Sequence, residues 1–318
     1  MNLTVAALRA ADAVARVAPA PVANGFGEAL GAGASRLSAD ERRIVERNLR
    51  RARGGSPEGR DGRAAGRDGR DRRRGRLAPE RDIRRVFASY GRYWVDTLRL
   101  PHLDADAIAR GFTVDGFEHV EAAMDAGTAP ILALPHLGGW EWAARWLVAV
   151  RGYGVAAVVE ELEPPEMYEW FLEQRRRLGM HIIPLSPRAS AEVAAALANR
   201  EIVCLLCDRD ISGNGIEVEF FGEATRLPGG PALMALRTGA PLLPSAVYFE
   251  GSRCHGIVEA PLDTTRRGRL RDDVTRITQD LARVLERQIR RAPEQWHLLQ
   301  PNWPSDFVAL GRPVPDAG

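Results

Sequence analysis

The chain has 318 residues, 45% hydrophobic and 27% charged, enough for a sizeable core in one large α/β domain or two smaller ones. No apolar run approaches the roughly 18 residues of a membrane span, which excludes a simple transmembrane helix, and three cysteines are too few for a disulfide framework. The net charge of +2 hides an asymmetry: all 44 basic residues are arginine, and residues 50–76 hold eleven of them against four acids, so the remainder carries 33 arginines against 38 carboxylates.

Residues 3–17 read as a helix, with Arg9, Asp12 and Arg16 on one face and small apolar residues elsewhere, stopped by Pro19 and Pro21. Those charges interrupt the apolar stretch a signal peptide needs, so a cytosolic setting is expected, with this helix able to lie on a membrane surface or pack on the domain. A second helix is expected over 38–50, where Ser38 is followed three residues later by Glu41 as in a capping box. The segment RARGGSPEGRDGRAAGRDGRDRRRGR, 51–76, lacks apolar anchors and is expected to be disordered. It reads as a solvated loop, with RNA or anionic lipid as alternative contacts. The expected plan is a helical membrane-proximal region over 1–50, this insert over 51–76, a catalytic domain over 77–306 and a tail over 307–318.

From residue 80 the pattern is regular. Helices are expected at 80–99, 139–149, 165–178, 188–199, 230–239 and 271–291, and strands at 129–135, 154–159, 181–185, 202–206, 241–249 and 255–260. Strands alternating with helices predict an α/β fold: a mostly parallel central sheet flanked by helices, with the N-terminal helices added. The strands are apolar throughout, as when both faces are covered. The Gly-rich stretch 211–230 reads as a long functional loop with one short strand at 217–220. No internal repeat is visible.

The chemistry concentrates where strands end. In ALPHLGGWEW, His136 closes an apolar run and Glu141 follows five residues later. On one continuous helix those side chains would lie roughly 140° apart, so the spacing suits a pair only if a strand ends near His136 and a helix starts before Glu141. Gly138 and Gly139 permit that turn, and their N–H groups are candidate oxyanion donors. A histidine at a strand's carboxyl end, beside an acid, is a candidate general base acting directly on a substrate hydroxyl. The alternative is a helix-start glutamate near a merely hydrogen-bonded histidine. Asp208, Arg209 and Asp210 follow another strand and reach the same edge, and either of these acids is a rival to Glu141 as the partner of His136. Glu160 ends a third strand and Arg175 lies on the helix after it, each a candidate substrate contact or a surface ion pair. Cys204 and Cys207 form a C-x-x-C inside a strand, which sends them to opposite faces and reads as core packing. The remaining histidines show no metal spacing, and no phosphate-binding or dinucleotide-binding glycine motif follows a strand; no metal and no cofactor are expected.

The pieces LPHLGGWEW, FLEQRRRLG, LLCDRDISGNGIEVEFFGEATRLPGGPALMALRTGAPLLP and PEQWHLLQPNWPSD, spread over roughly 80–306, together resemble the bacterial lipid A late-acyltransferase family of the lysophospholipid acyltransferase superfamily. The resemblance implies acyl transfer from acyl-CoA to a hydroxyl of a glycolipid acceptor, by a peripheral protein at the cytoplasmic face of the plasma membrane. The ending QWHLLQPNW further implies a mannosylated phosphatidylinositol as acceptor, with a lipid A precursor or a lysophospholipid as alternatives. It assigns His136, Glu141 and Asp210 to catalysis and Glu160, Arg175, Asp208, Arg209 and Glu223 to substrate binding, with Phe171 beside Arg175 and Phe220, Phe221 and Gly222 before Glu223. Acyl-CoA, the glycolipid and a membrane surface are the implied partners, and nucleic acid is not one. The Arg/Gly insert departs from the family pattern.

Overall fold

The computed structural model describes residues 12–13, 18–55, 78–160, 164–211 and 213–315. The helix expected over 3–17 is thereby largely outside the described residues, as are residues 56–76 of the Arg/Gly segment.

Two N-terminal helices lead in: α1 (Ala20–Ala34) and α2 (Ala39–Ala52). Pro21 sits in the first turn of α1 and opens this helix, because a proline there forfeits only an N–H that has no intrahelical partner. Ser38 caps α2 by accepting from the Glu41 N–H at 3.4 Å. The helix runs past residue 50 into the segment expected to be disordered: Arg51 is fully buried, with its guanidinium 3.9 Å from the centroid of the Trp303 ring. The long α3 (Glu80–Arg99) crosses α1 where Gly31 and Gly91 meet. A Cβ on Gly91 would stand 2.1 Å from the Gly27 carbonyl oxygen, so the two backbones touch.

The body follows as α4 (Ala105–Gly111), β1 (Phe112–Asp115), α5 (Glu118–Asp125), β2 (Ile131–Leu134), α6 (Trp140–Ala149), β3 (Val155–Val159), α7 (Pro165–Arg177), β4 (His181–Pro184), α8 (Ala189–Ala198) and β5 (Ile202–Leu206). A hairpin of β6 (Ile216–Phe220) and β7 (Glu223–Leu227) comes next, then α9 (Gly230–Thr238), β8 (Leu242–Glu250), β9 (Arg253–Val258), α10 (Leu270–Arg291) and α11 (Pro304–Ala309). Seven strands form one sheet in the order β1-β9-β8-β2-β5-β3-β4, and only the β8–β9 pairing is antiparallel. The mostly parallel α/β sheet flanked by helices is therefore the architecture observed. The stretch 211–230 differs from expectation: two strands pair through a tight Phe221–Gly222 turn. The hydrophobic core runs through β2, β5 and β8; β2 and β8 are almost wholly buried on both faces, and β5 is buried over Ile202–Cys204. Cys204, Cys207 and Cys254 are buried free thiols, and burial pushes the Cys204 thiol up to about 12.

One buried acid belongs to this packing alone. Asp96 of α3 lies 3.8 Å from the Arg92 Nε, and burial lifts its carboxyl from the ordinary 3.8 to about 6 despite that neighbour. The folded protein thus holds a proton that the unfolded chain has released between those two values, so stability falls as pH rises through that window and stays lower above it, by about 3 kcal/mol. Asp96→Asn is expected to raise the unfolding midpoint at pH 8 and to leave it unchanged near pH 4, as measured by thermal unfolding across the two buffers.

Candidate active site

Parallel register brings the site together. β2 and β5 are neighbours, with Leu134 opposite Leu206, and the Cys207 N–H donates to the Leu134 carbonyl oxygen at 2.8 Å. Two residues beyond each of those partners stand His136 and Asp208, side by side at the carboxyl edge of the sheet. His136 Nδ1 lies 2.6 Å from Asp208 Oδ1, and the His136 backbone N–H donates to Oδ2 at 3.1 Å. The Trp296 indole N–H gives Oδ2 a further bond at 2.7 Å. Asp208 is fully buried, which would raise its carboxyl, but the charge of His136 and these bonds hold it below the usual range. The imidazole is about one-third exposed, with Nδ1 committed to Asp208 and Nε2 left for a ligand.

The C-terminal segment clamps this arrangement. Residues 295–297 run antiparallel to 136–138: the His297 N–H donates to the His136 carbonyl at 2.8 Å, and the Gly138 N–H donates to the Gln295 carbonyl at 3.0 Å. Gly138 therefore does not supply the oxyanion donor expected of it. Its φ of +56° and a Val247 carbonyl oxygen 2.1 Å from where a Cβ would lie make glycine necessary there. Asn302 Nδ2 donates to the Asp208 carbonyl at 3.1 Å. Below, Trp296 packs on Phe221 with centroids 5.4 Å apart, and Trp303 stacks on Phe220 at 5.6 Å, so the β6–β7 hairpin supports the indole that holds Asp208.

The other expected site residues separate into pairs. Glu141 does not reach His136; it is buried in the first turn of α6 and binds Arg175 Nε at 3.0 Å, Thr97 Oγ1 at 2.6 Å and Tyr93 Oη at 3.3 Å. Burial would lower the Arg175 guanidinium, but Glu141 raises it. Arg209 donates to Glu160 at 2.5 Å across the ends of β5 and β3. Asp210 accepts the Gly215 N–H at 2.7 Å, which braces its loop. Glu223 lies away from the cavity and binds Arg51 Nε and Ser305 Oγ, each at 2.6 Å.

His136, Glu160, Arg175, Arg209 and Asp210 all line one cavity of about 470 Å³. His297 lines it as well, and so do the apolar side chains of Val159, Val193, Cys204, Leu206 and Met234, which come from the sheet and from helices α8 and α9. A ligand with a reactive polar head and a long hydrocarbon tail fits such a space.

A model of the bacterial lipid A biosynthesis acyltransferase family matches residues 76–305. The chain belongs to the bacterial lipid A biosynthesis acyltransferase family. Two curated relatives are named phosphatidylinositol mannoside acyltransferase. The protein from Mycobacterium tuberculosis is 42% identical over 229 residues, covering 70% of this chain and 71% of its own. That from Mycolicibacterium smegmatis is 41% identical over 233 residues, covering 72% and 74%.

Several residues packed around the site were passed over by sequence reasoning. Trp296 carries no motif that points to Asp208, yet its indole is buried against that acid. His297 was one of several scattered histidines. Its Nε2 lies 2.9 Å from Ser89 Oγ, and burial, then the charge of His136, pushes its imidazole down to about 3. It is therefore neutral at physiological pH and lines the cavity without titrating. Tyr93 and Thr97 sit in a helix whose contacts no local motif reveals. Trp142 packs in the core, and Trp146 packs on Phe117 at 4.9 Å, not in the cavity. No helix among the described residues is long and apolar enough to cross a membrane.

Glu141 neutralises a buried arginine, so its loss should be paid in folding. Glu141→Ala is expected to destabilise the protein by about 3–5 kcal/mol, the usual consequence of stranding one member of a buried ion pair, as read by urea denaturation.

Proposed function

We propose that this acyltransferase moves a long-chain fatty acyl group from acyl-CoA to a mannose hydroxyl of a phosphatidylinositol mannoside, working as a peripheral protein at the cytoplasmic face of the plasma membrane. The acceptor follows the names of the two relatives at 41–42% identity. The observation that carries the chemistry is the His136–Asp208 pair at 2.6 Å, with His136 on the wall of a cavity that is also lined by apolar side chains.

His136 is the general base. With its proton on Nδ1, held by Asp208, Nε2 is free to take the proton of the acceptor hydroxyl as that oxygen attacks the thioester carbonyl. A C–O bond forms and the C–S bond breaks; the proton on Nε2 passes to the departing CoA sulfur. The ionised Asp208 stabilises the imidazolium in between. This gives the orienting role to Asp208 and not to Glu141, and leaves Asp210 to fix the loop after β5. The backbone N–H of Trp140, which opens α6 and lines the cavity, with the positive end of that helix, favours the negative charge that develops on the carbonyl oxygen. Arg175 and Arg209, each balanced by its own glutamate, offer their remaining N–H groups to phosphate or sugar oxygens of the substrates. Glu223 belongs to the clamp on α2, so its effect on substrate is indirect. In this reading 77–306 is the catalytic domain, and α2 packs on it through the ion pairs Arg47–Asp306 and Arg51–Glu223.

His136→Ala is expected to lower kcat by about 10²–10⁴ with palmitoyl-CoA and a mannosylated phosphatidylinositol, and Asp208→Asn to lower it in the same direction, both with unchanged circular dichroism. Wild-type turnover by His136→Ala would end the proposal; the product is read by mass spectrometry.

A further inference from the structure

Helix α1 is apolar on two sides and covered on one. Its single charged residue is Glu28. One side carries Gly27 and Gly31, which lie backbone to backbone on α3. A different side presents Val22, Phe26 and Leu30 to solvent, 64%, 63% and 58% exposed, at the four-residue spacing that lines one helix face. Leu37, in the turn that follows, is 88% exposed and continues the run. Gly25 and Ala29 fill the gaps between them and are exposed too, so the face holds no charge. Four large apolar side chains in one uncharged row on a surface mark a contact with something apolar.

We infer that this face of α1, with Leu37, seats in the acyl region of a lipid bilayer and thereby sets the mouth of the reaction cavity at the membrane surface. The inference rests on the proposed reaction, whose acceptor is a membrane glycolipid. A second copy of the chain is the poorer occupant. A helix of 15 residues is about 22 Å long, and a face about 10 Å wide gives about 220 Å². A stable protein interface needs about 800 Å² on each side. A bilayer sets no such minimum and asks for what is here: an uncharged apolar row, with one basic residue at its border and the acids Asp40 and Glu41 only beyond it, in the first turn of α2. Arg36 is exposed beside Leu37 at that border, where lipid phosphates lie. The row also leads to the site. A groove of about 440 Å³ opens beside Leu37, and Gln300 walls both that groove and the reaction cavity. On its other side α1 is fixed to α3, whose Tyr90, Tyr93 and Trp94 line the cavity.

The test uses the full chain, vesicles of phosphatidylcholine and phosphatidylinositol, and the double variant F26E/L30E. Flotation with vesicles is expected to fall at least about tenfold, since each burial lost is worth a factor of ten or more. Transfer to a mannosylated phosphatidylinositol embedded in those vesicles should fall alongside it. Transfer to the same acceptor dispersed in detergent micelles should stay at the wild-type rate, which also reports that the variant is folded. Leu37→Glu, outside the helix and without packing to disturb, should weaken flotation in the same direction. Unchanged flotation of both variants overturns the inference, as does a wild-type dimer in light scattering that F26E/L30E converts to a monomer with flotation intact. If wild-type protein floats with vesicles but transfers no acyl group even in micelles, the proposed reaction fails while the lipid-facing assignment stands.

Discussion

The rest of the site depends on one buried carboxylate. Asp208 has no access to solvent, and its charge is tolerated because an imidazole, a backbone N–H and an indole N–H all point at it. Taking one donor from such a group costs about 1–3 kcal/mol, more when the group is charged. Each donor comes from a separate piece of the chain. β2 supplies His136, β5 supplies the acid, and the segment after α10 supplies Trp296. The acid therefore does two things with the same contacts: it fixes the imidazole tautomer, and it ties the C-terminal segment to the sheet edge. The aromatic hairpin then becomes intelligible. Phe221 takes a φ of +56°, unusual for a bulky residue, in a turn that places both phenylalanines under Trp296 and Trp303.

The two acids nearest the histidine in sequence and in space divide the work. Glu141 is five residues from His136 along the chain, yet its charge is spent on Arg175 and on two hydroxyls of α3. Asp208 is 72 residues away and touches the ring. A carboxylate shared between His136 and Arg175 would serve neither well, because each hydrogen bond would compete for one charge. With two acids, the arginine remains cationic in a buried place and the histidine keeps an acceptor of its own. A similar economy holds at the far end of α2. Arg47 and Arg51 share Asp306, and Arg51 also takes Glu223, so the helix, the hairpin and the C-terminal segment meet at one neutralised cluster.

The legible parts were those governed by local pattern. Apolar runs bounded by charged helices gave every core strand from β2 to β5, and a strand-to-helix join at Gly138–Gly139 was readable from two glycines after a run of hydrophobics. What stayed open was which acid meets His136, because that depends on strand order: β5 inserts between β2 and β3, and nothing in a single sequence says so. The hairpin was missed for a different reason. Phe-Gly is not a usual two-residue turn, where Asn-Gly or Asp-Gly would have announced it. β1 and the helices around it are short and half-exposed, too brief for periodicity to speak. The helix Ala20–Ala34 went unassigned individually because its Gly- and Ala-rich sequence shows little periodicity, and only Pro21 in its first turn marks its start. Arg51 looked like the first residue of a solvated segment; only the packed Trp303 and Asp306 explain why an arginine lies buried there.

Helix α3 connects these observations. Gly91 faces α1, where two backbones touch; Tyr90, Tyr93 and Trp94 face the cavity; Thr97 reaches Glu141; and Ser89 meets His297. A rigid helix with contacts on all these sides transmits any displacement of α1 to the cavity wall, since close-packed interiors do not absorb such shifts gradually. The glycine crossing matters for this coupling. With a side chain at Gly31 or Gly91 the helices would stand apart and could slide; with bare backbones in contact, α1 and α3 move as one body. For the proposed reaction, with a membrane glycolipid as acceptor, that coupling holds the apolar row of α1 proposed to meet the lipid at a fixed distance from the cavity wall.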